Sequence, residues 1–182
     1  MWNLLPTFIV LVLRFFAAIV ATQSCSPGTL TIPPVPGIEV TQVVANAVYG
    51  HAISSPCPLS IDFCNITVAY THTGWKDSIG VYVWLPLTDW NGRLRGIDGG
   101  GFAGLQGFAG HGLAVASNYS AVGTDTGHLM SSTNSSSWSL DNSGKVNAGL
   151  LHDFATVALN DATLIAKAIS KSYYGQAPTR SY

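Results

Sequence analysis

Charged side chains are scarce in this sequence of 182 residues. Only 9% of the residues are Asp, Glu, Lys or Arg, and eight basic residues nearly balance nine acidic ones to give a net charge of −1. A chain with so little positive charge cannot neutralise a phosphate backbone, which excludes nucleic acid as a partner. With 47% hydrophobic residues, the sequence also differs from disordered tails and predicts one folded domain with a buried core.

Cysteine is scarce as well, and the three cysteines lack the spacing of a zinc site. Because their number is odd, Cys25, Cys57 and Cys64 cannot all pair within the chain. We expect a disulfide from Cys25 to either Cys64 or Cys57, which leaves one thiol without a partner. Three reduced, buried thiols are the alternative. The sequence predicts no metal site.

The amino terminus has the pattern of a secretory leader, with a mainly apolar run over residues 4–21. We expect cleavage near Ala21, so that residues 1–21 are a signal peptide and residues 22–182 form the mature chain, free of the membrane. Arg14 interrupts the apolar run and no Lys or Arg precedes it, so a membrane anchor is the alternative.

Three glycosylation sequons, at Asn65, Asn118 and Asn134, fit a secreted, extracellular protein. They are candidate sites of modification.

Strand patterns follow one another quickly after the cysteines, over residues 65–70, 79–85 and 93–97. The pair Asn91-Gly92 between the second and third strands is a hairpin turn signal. We therefore expect these two strands to be neighbours in a sheet.

Three glycines and an aromatic residue, Gly99, Gly100, Gly101 and Phe102, follow the third strand directly. Glycines allow consecutive backbone N–H groups to converge on one point, which is how a protein builds an oxyanion hole. The sequence contains no G-x-S-x-G motif. It therefore predicts the donors of an oxyanion hole without the serine that they would serve.

The following residues predict a short, glycine-interrupted helix over 105–118 and a buried strand over 119–124. Asp125 and His128 come at the carboxyl end of that strand, where ligands bind in open α/β sheets. We interpret them as a structural turn and not as a catalytic pair: Asp125 accepts backbone N–H bonds, and His128 packs beside the floor of the active site.

The strongest helix pattern covers residues 147–174 and ends at Gly175. Its predicted apolar stripe consists of Leu150, Phe154, Val157, Ala158, Leu164, Ile165 and Ala168. His152 and Asp153 are expected to be solvated or capping residues.

The remaining histidines, His51, His72 and His111, have no partner pattern and are expected to be surface or satisfied residues.

The order of these elements is that of the opening of an α/β-hydrolase sheet. A fifth strand is expected from residues 176–182 onward, followed by the nucleophile elbow. In this fold, the loop after the third strand donates one oxyanion N–H, and the residue after the serine donates the other. The predicted fold class is α/β, an incomplete α/β-hydrolase fold without elbow or lid.

Four stretches resemble the tannase and feruloyl esterase family of secreted serine esterases. They are CNITVAYTH (64–72), VYVWLPLTDWNGRLRGIDGGGFAG (81–104), TDTGH (124–128) and FATVALNDATLIAKAISKSYYGQAPTRSY (154–182). The resemblance implies hydrolysis of an aromatic acid ester, feruloyl or galloyl, in a small molecule or a plant cell-wall polysaccharide. It implies a serine acyl-enzyme assisted by histidine and aspartate.

In the family, the serine, the catalytic aspartate and histidine, and a calcium-binding lid all follow the equivalent of Tyr182. The resemblance therefore assigns no catalytic residue and no cofactor to this chain, and only the backbone of Gly100, Gly101 and Phe102 is carried over. Asp98 stands where the family usually has another glycine. Because a carboxylate would oppose a developing oxyanion, Asp98 must point away from it, or this copy is impaired.

Two functions follow as hypotheses. The first is the amino-terminal part of a secreted serine esterase, inactive alone. The second is a non-catalytic binding or decoy module derived from such an esterase.

Overall fold

The computed structural model describes residues 24–32, 34–53, 59–128 and 134–182. They form a mixed six-stranded sheet in the spatial order β1-β2-β3-β5-β4-β6. The strands are β1 (Ile38–Ile53), β2 (Leu59–His72), β3 (Ile79–Pro86), β4 (Arg93–Gly96), β5 (Ser120–Thr124) and β6 (Arg180–Ser181). The helices are α1 (Ala109–Ala116), α2 (Ser136–Ser139), α3 (Ala148–His152) and α4 (Ala158–Tyr174), and a π turn, Asp153–Val157, joins α3 to α4. The predicted leader and Cys57 lie outside the described residues.

The longest strand, β1, is one that the sequence patterns do not predict. It runs antiparallel to β2 at the edge of the sheet, and most of its side chains are exposed. Val40 and Val44, for example, remain 42% and 45% exposed. Because no face of β1 is fully buried, its sequence lacks the strict alternation by which a half-buried strand is recognised.

A disulfide joins Cys25 to Cys64 in β2, with the two Cα atoms 5.6 Å apart. The first of the two expected pairings is thus confirmed. The bridge fastens the segment that precedes β1 to a strand in the middle of the antiparallel part of the sheet.

The predicted pairing of the second and third strand patterns is wrong. These patterns correspond to β3 and β4, and β5 lies between them, antiparallel to β3 and parallel to β4. The chain leaves β4, crosses through α1 and returns as β5, which is a βαβ unit and places β5 beside β4. Gly92 does take a positive φ of 76°, but its carbonyl accepts the N–H of Thr179. The Asn-Gly turn therefore starts β4 and holds the approach to β6, and does not close a hairpin.

Two apolar clusters lie on opposite faces of the sheet. Side chains of β2 and β3 such as Ile66 and Val81 pack with the buried stripe of α4. On the other face, Phe63 and Trp84 pack with α1. Since β3 is covered on both sides, seven of its eight residues are buried.

The long helix is confirmed, with one irregularity. The side chain of Asn147 accepts the N–H of Leu150 as an N-cap, and Gly175 ends the helix with a φ of 74°. The π turn interrupts the regular period, and Leu164 of the predicted stripe is 44% exposed whereas Ile165 is fully buried. In the part of the chain that the structure describes, no helix combines the length and apolar character needed to cross a bilayer.

The two other predicted elements are present with shifted ends. The glycine-interrupted helix is α1, which begins only at Ala109 because Gly107 has a φ of 73°. The strand expected after residue 176 is β6, which pairs parallel to β4.

Candidate active site

The glycine-rich loop, residues 97–104, leaves the carboxyl end of β4 beside the carboxyl end of β5. Its base is fixed by a bond from the Ile97 N–H to the Val122 carbonyl, 2.7 Å, and the loop is closed by the Gly99 N–H and the Gly104 carbonyl, 2.8 Å. The amides of residues 100–102, the predicted oxyanion donors, donate to no other described residue, and these three residues are exposed. Three consecutive N–H groups are thus available to a ligand at this edge of the sheet.

Glycine is required at three places in this loop for different reasons. A Cβ on Gly99 would collide with the Ala103 carbonyl, and one on Gly104 would lie 2.8 Å from the carbonyl of Thr124. Gly101 has a φ of 65°, which favours glycine. At Gly100 a Cβ would meet only the end of a flexible glutamine side chain. The loop is therefore packed tightly at both ends and has a left-handed residue at its tip.

Asp98, the departure from the family pattern, directs one carboxylate oxygen at the loop itself. Its Oδ1 accepts the N–H of Gly99 at 2.8 Å. That amide is consequently engaged twice, by Asp98 and by Gly104. The expectation that Asp98 points away from an oxyanion stays a prediction.

Asp125 and His128 lie at the same edge, and Asp125 accepts backbone bonds as predicted. Its Oδ1 receives the N–H groups of Gly80 and Gly127, at 2.8 and 2.9 Å, and the Tyr82 hydroxyl donates to its Oδ2. These bonds tie the end of β5 to the start of β3, which is a structural use of the carboxylate. His128 is buried and stacks on Trp138, with ring centroids 4.1 Å apart.

Comparison with known proteins relates this geometry to one family. The sequence pattern described as tannase and feruloyl esterase matches residues 64–182. A probable feruloyl esterase from Arthroderma benhamiae is 36% identical over 158 residues, which are 82% of this chain and 29% of that protein. The chain belongs to the tannase and feruloyl esterase family. A tannase from Aspergillus oryzae is likewise 36% identical, over 74% of this chain and 22% of its own length.

Solved structures of tannase and feruloyl esterase share the fold. A tannin acyl hydrolase from Aspergillus niger superposes with a TM-score of 0.74 at 28% identity, covering 87% of this chain and 32% of that one. Feruloyl esterase B from Aspergillus oryzae gives 0.63 at 26% identity, over 82% and 29% of the two chains. The predicted partial α/β-hydrolase fold is confirmed. The chain spans less than a third of the length of each of these relatives.

The tannase-family pattern gave no role to His72, yet this histidine lies in a buried cluster of carboxylates. Its Nδ1 is 2.5 Å from Asp77 Oδ2 and 3.5 Å from Asp153 Oδ1, and its Nε2 is 3.1 Å from Asp161 Oδ2. His72 is thus a satisfied residue, which is one of the two expectations for it, although the sequence pattern indicated no partner. The expectation for Asp153 is wrong, because its carboxylate is fully buried. The signal in the sequence that could have revealed part of this cluster was the close spacing of His72 and Asp77. The other two carboxylates, Asp153 and Asp161, come from a helical segment about 80 residues away, so no local pattern links them to His72.

The cluster changes the protonation of its members. Burial raises the pKa of Asp153 to about 6, and the charge of Asp77 raises it further than His72 lowers it. Burial alone would lower the pKa of His72, but the bonds with Asp77 and Asp161 outweigh it, and its pKa is raised. For Asp77, burial is outweighed by the bonds from Thr71 and His72, which lower its pKa.

The other histidines of this tannase relative differ in their surroundings. His111 of α1 is fully buried, and its Nε2 is 3.1 Å from the Tyr82 carbonyl. This nitrogen is satisfied, as expected, whereas Nδ1 has no hydrogen-bond partner among the described residues. His51 and His152 are exposed, as expected.

The sequons differ in exposure. Asn118 and Asn134 are exposed, whereas Asn65 is half-buried within β2. Glycosylation at these positions stays a prediction.

Proposed function

We propose that this chain supplies the oxyanion-binding part of a secreted carboxylic ester hydrolase that cleaves feruloyl or galloyl esters through a serine acyl-enzyme. One observation carries the proposal: three exposed amides, at residues 100–102, without an acceptor among the described residues. They follow a strand at the sheet edge where an α/β-hydrolase places the first part of its oxyanion hole. The membership of the family and the names of its relatives supply the substrate class.

The chemistry assigned to the loop is electrostatic. When a serine attacks the ester carbonyl, the carbonyl oxygen becomes an oxyanion, and N–H groups aimed at that oxygen stabilise it more than they stabilise the substrate. Gly101 gives the loop tip its left-handed turn, and the close contacts of Gly99 and Gly104 hold the loop base. We assign the serine, and the histidine and aspartate that assist it, to polypeptide outside the 182 residues, since the sequence has no G-x-S-x-G motif.

We also assign no cofactor to this chain. The calcium ion implied by the resemblance belongs to the lid, for which this chain supplies no assigned ligand. The 182-residue chain on its own is therefore expected to release no acid from methyl ferulate or methyl gallate.

The test removes one backbone N–H donor and compares two variants that both lack the Phe102 side chain. In the secreted protein that contains this chain, Phe102→Pro lacks the N–H at that position, and Phe102→Ala retains it while removing the same aromatic ring. We expect kcat for methyl ferulate or methyl gallate to be lower in the proline variant than in the alanine variant by about 10²–10³. Circular dichroism on both variants checks that the fold is kept.

Equal kcat values in two folded variants would show that the amide of Phe102 makes no contribution in the transition state, and Phe102 would be removed from the oxyanion assignment. If the protein binds the esters without hydrolysing them at all, the binding-module hypothesis takes the place of the esterase.

A further inference from the structure

We propose that His72, Asp77 and Asp153 form a binding site for a divalent transition metal of the Zn²⁺ type, which fastens the β2–β3 turn to the long helix. The three residues come from the end of β2, the turn after it and the π turn. One ligand atom of each lies within 4.8 Å of the other two. The proposal does not depend on the esterase function.

The fully buried carboxylate of Asp153 is the observation that points to a ligand. Neither of its oxygens receives a hydrogen bond from an N–H or hydroxyl group of a described residue; its polar neighbours are the His72 imidazole and the Asp77 carboxylate, and its side chain has no exposed area. Oδ1 lies 3.5 Å from His72 Nδ1 and so faces the cluster. A buried carboxylate without donors is unfavourable, and a bound cation is one of the ways in which proteins compensate such a group.

The distances suit a small cation. Zn²⁺ binds histidine nitrogen and carboxylate oxygen at about 2.0–2.2 Å, which puts two ligands of a tetrahedral site roughly 3.4 Å apart. The separation of His72 and Asp153 already has this value, whereas the Asp77 oxygen lies nearer, at 2.5 Å from the imidazole. A small rotation of the Asp77 carboxylate would open the site for the ion.

The surroundings orient these ligands as in known metal sites. Asp161 Oδ2 lies 3.1 Å from His72 Nε2 and can accept the proton of that nitrogen. Metal binding would then displace the proton that Nδ1 shares with Asp77 and free the Nδ1 lone pair for the ion. Asp77 Oδ1 accepts the Thr71 hydroxyl and the His72 N–H, at 2.7 and 2.9 Å, which leaves Oδ2 for the ion. A carboxylate on the far nitrogen of a histidine ligand is the arrangement that raises ligand basicity and fixes the ring.

The negative charge of the cluster also favours a bound cation. Three carboxylates surround one imidazole, and among the described residues no lysine or arginine forms an ion pair with any of them. Mixed imidazole and carboxylate ligands suit a first-row transition metal, whereas Ca²⁺ and Mg²⁺ prefer oxygen alone. The lid calcium of the family is thus a different kind of site.

The π turn explains how one helix supplies both a ligand and its supporting carboxylate. Asp153 and Asp161 are eight residues apart, which in a regular α-helix separates them by about 80° around the axis. A π turn accommodates one additional residue, and this reduces the offset to about 20°. Both side chains therefore reach His72 from the same face, and π turns are frequent at functional sites.

An entry path exists beside the cluster. A cavity of about 770 Å³ is lined by Asp77, Trp75, Asn147 and His152, among others. It gives the ion access to Asp77 and leaves room for water at the remaining coordination positions.

The test measures Zn²⁺ binding to the chelator-treated chain. We expect one Zn²⁺ per chain by calorimetry and elemental analysis, with a rise in Tm on loading. His72→Ala and Asp153→Asn should each weaken binding by at least tenfold. His152→Ala is the matched control, because this exposed histidine lines the same cavity outside the cluster, and it should leave the affinity unchanged. An equal concentration of Ca²⁺ should not displace Zn²⁺.

The Asp153→Asn variant separates a metal site from a structural carboxylate. It removes an unpaired buried charge, so the metal-free variant should melt at or above the Tm of the wild type while its Zn²⁺-dependent rise in Tm is lost. X-ray absorption of the loaded wild-type chain should show one imidazole among oxygen ligands, which tests the site even if a variant misfolds. Absence of stoichiometric Zn²⁺, more than one imidazole, or binding lost only in His152→Ala would overturn the proposal.

Discussion

His111 should make the stability of this protein fall steeply between about pH 6.5 and pH 4. The imidazole is fully buried in α1, with its Nε2 against the Tyr82 carbonyl and its Nδ1 without a partner among the described residues. The neutral ring fits this setting, since Nε2–H can donate to the carbonyl. A protonated ring would place a second N–H where no acceptor receives it.

Burial is the dominant cause of the low pKa of His111. It lowers the pKa of His111 to about 4, and the bond with the Tyr82 carbonyl opposes it only in part. The rings of Trp84 and Phe108 lie about 5.5 and 5.4 Å away, and no atom could be added at Gly123, where a Cβ would lie 2.8 Å from the imidazole.

The sign follows from the protons bound by each state. The folded pKa of about 4 lies below the ordinary value of 6.5, so between these two pH values the unfolded chain binds a proton that the folded chain does not. Stability is complete above pH 6.5 and is lost as the pH falls through 4. The loss corresponds to roughly 3 kcal/mol in the free energy of unfolding, a large fraction of the usual total of about 5–15 kcal/mol.

The assay compares the wild type with His111→Gln, whose amide can still donate to the Tyr82 carbonyl, by urea denaturation from pH 7 to pH 4. The comparison is needed because Asp153 acts in the opposite direction. Since its pKa is raised, its contribution makes the folded protein more stable as the pH falls. The difference in unfolding free energy between the two proteins should change by roughly 3 kcal/mol over this range. Val115→Ala, a buried change in the same helix, should shift stability by an amount independent of pH.

A difference between wild type and His111→Gln that stays constant from pH 7 to pH 4 would refute the reasoning. It would mean that the folded protein accommodates the imidazolium, for instance by opening the contact between α1 and the sheet.

Two further predictions concern packing. Gly104→Ala should destabilise the chain by about 1–3 kcal/mol, because the new Cβ meets the Thr124 backbone, whereas Gly100→Ala should change stability by less than about 1 kcal/mol. Chemical denaturation of both variants measures this difference, and equal losses of stability would contradict the loop packing. Ile165→Ala should lower the free energy of unfolding by about 2–5 kcal/mol, whereas the same change at its exposed neighbour, Leu164→Ala, should lower it by less than about 0.5 kcal/mol. The Tm of each variant measures the difference, and the reverse order would mean that α4 is rotated on the sheet.

The sequence predicted those elements whose local pattern and final environment agree. β2, β3 and β5 are buried in the middle of the sheet, and the strand patterns over residues 65–70, 79–85 and 119–124 fall within them or differ by a single residue. The long helix has an N-cap at Asn147 and a left-handed glycine at its end, which are signals that act within a few residues.

Features that depend on the rest of the fold were missed. An Asn-Gly pair favours a tight turn, but no local signal states that β5 will enter between β3 and β4, because that follows from the crossover through α1. Among the described strands, β1 has β2 as its single neighbour, and because neither of its faces is fully buried its sequence lacks the strict alternation of apolar and polar residues.

The carboxylate cluster was missed for a related reason. His72 and Asp77 are close in sequence, but Asp153 and Asp161 reach them from a distant helix, and only the π turn aligns the two aspartates. Periodicity at 3.6 residues cannot reveal this alignment, since the π turn departs from that period.

The two candidate sites can be judged independently because their unsatisfied groups have opposite character. At residues 100–102 the free groups are N–H donors, which stabilise negative charge, and at Asp153 they are carboxylate oxygens, which stabilise positive charge. The Asp153 carboxylate is buried without the donors that folded proteins normally provide, whereas the amides at residues 100–102 are exposed and accessible to a ligand. Zn²⁺ should affect the thermal stability of the chain through the cluster alone, while Phe102→Pro should affect ester turnover alone. If Phe102→Pro also removed Zn²⁺ binding, the two regions would be coupled through the sheet edge, and neither could be assigned its role from its own geometry.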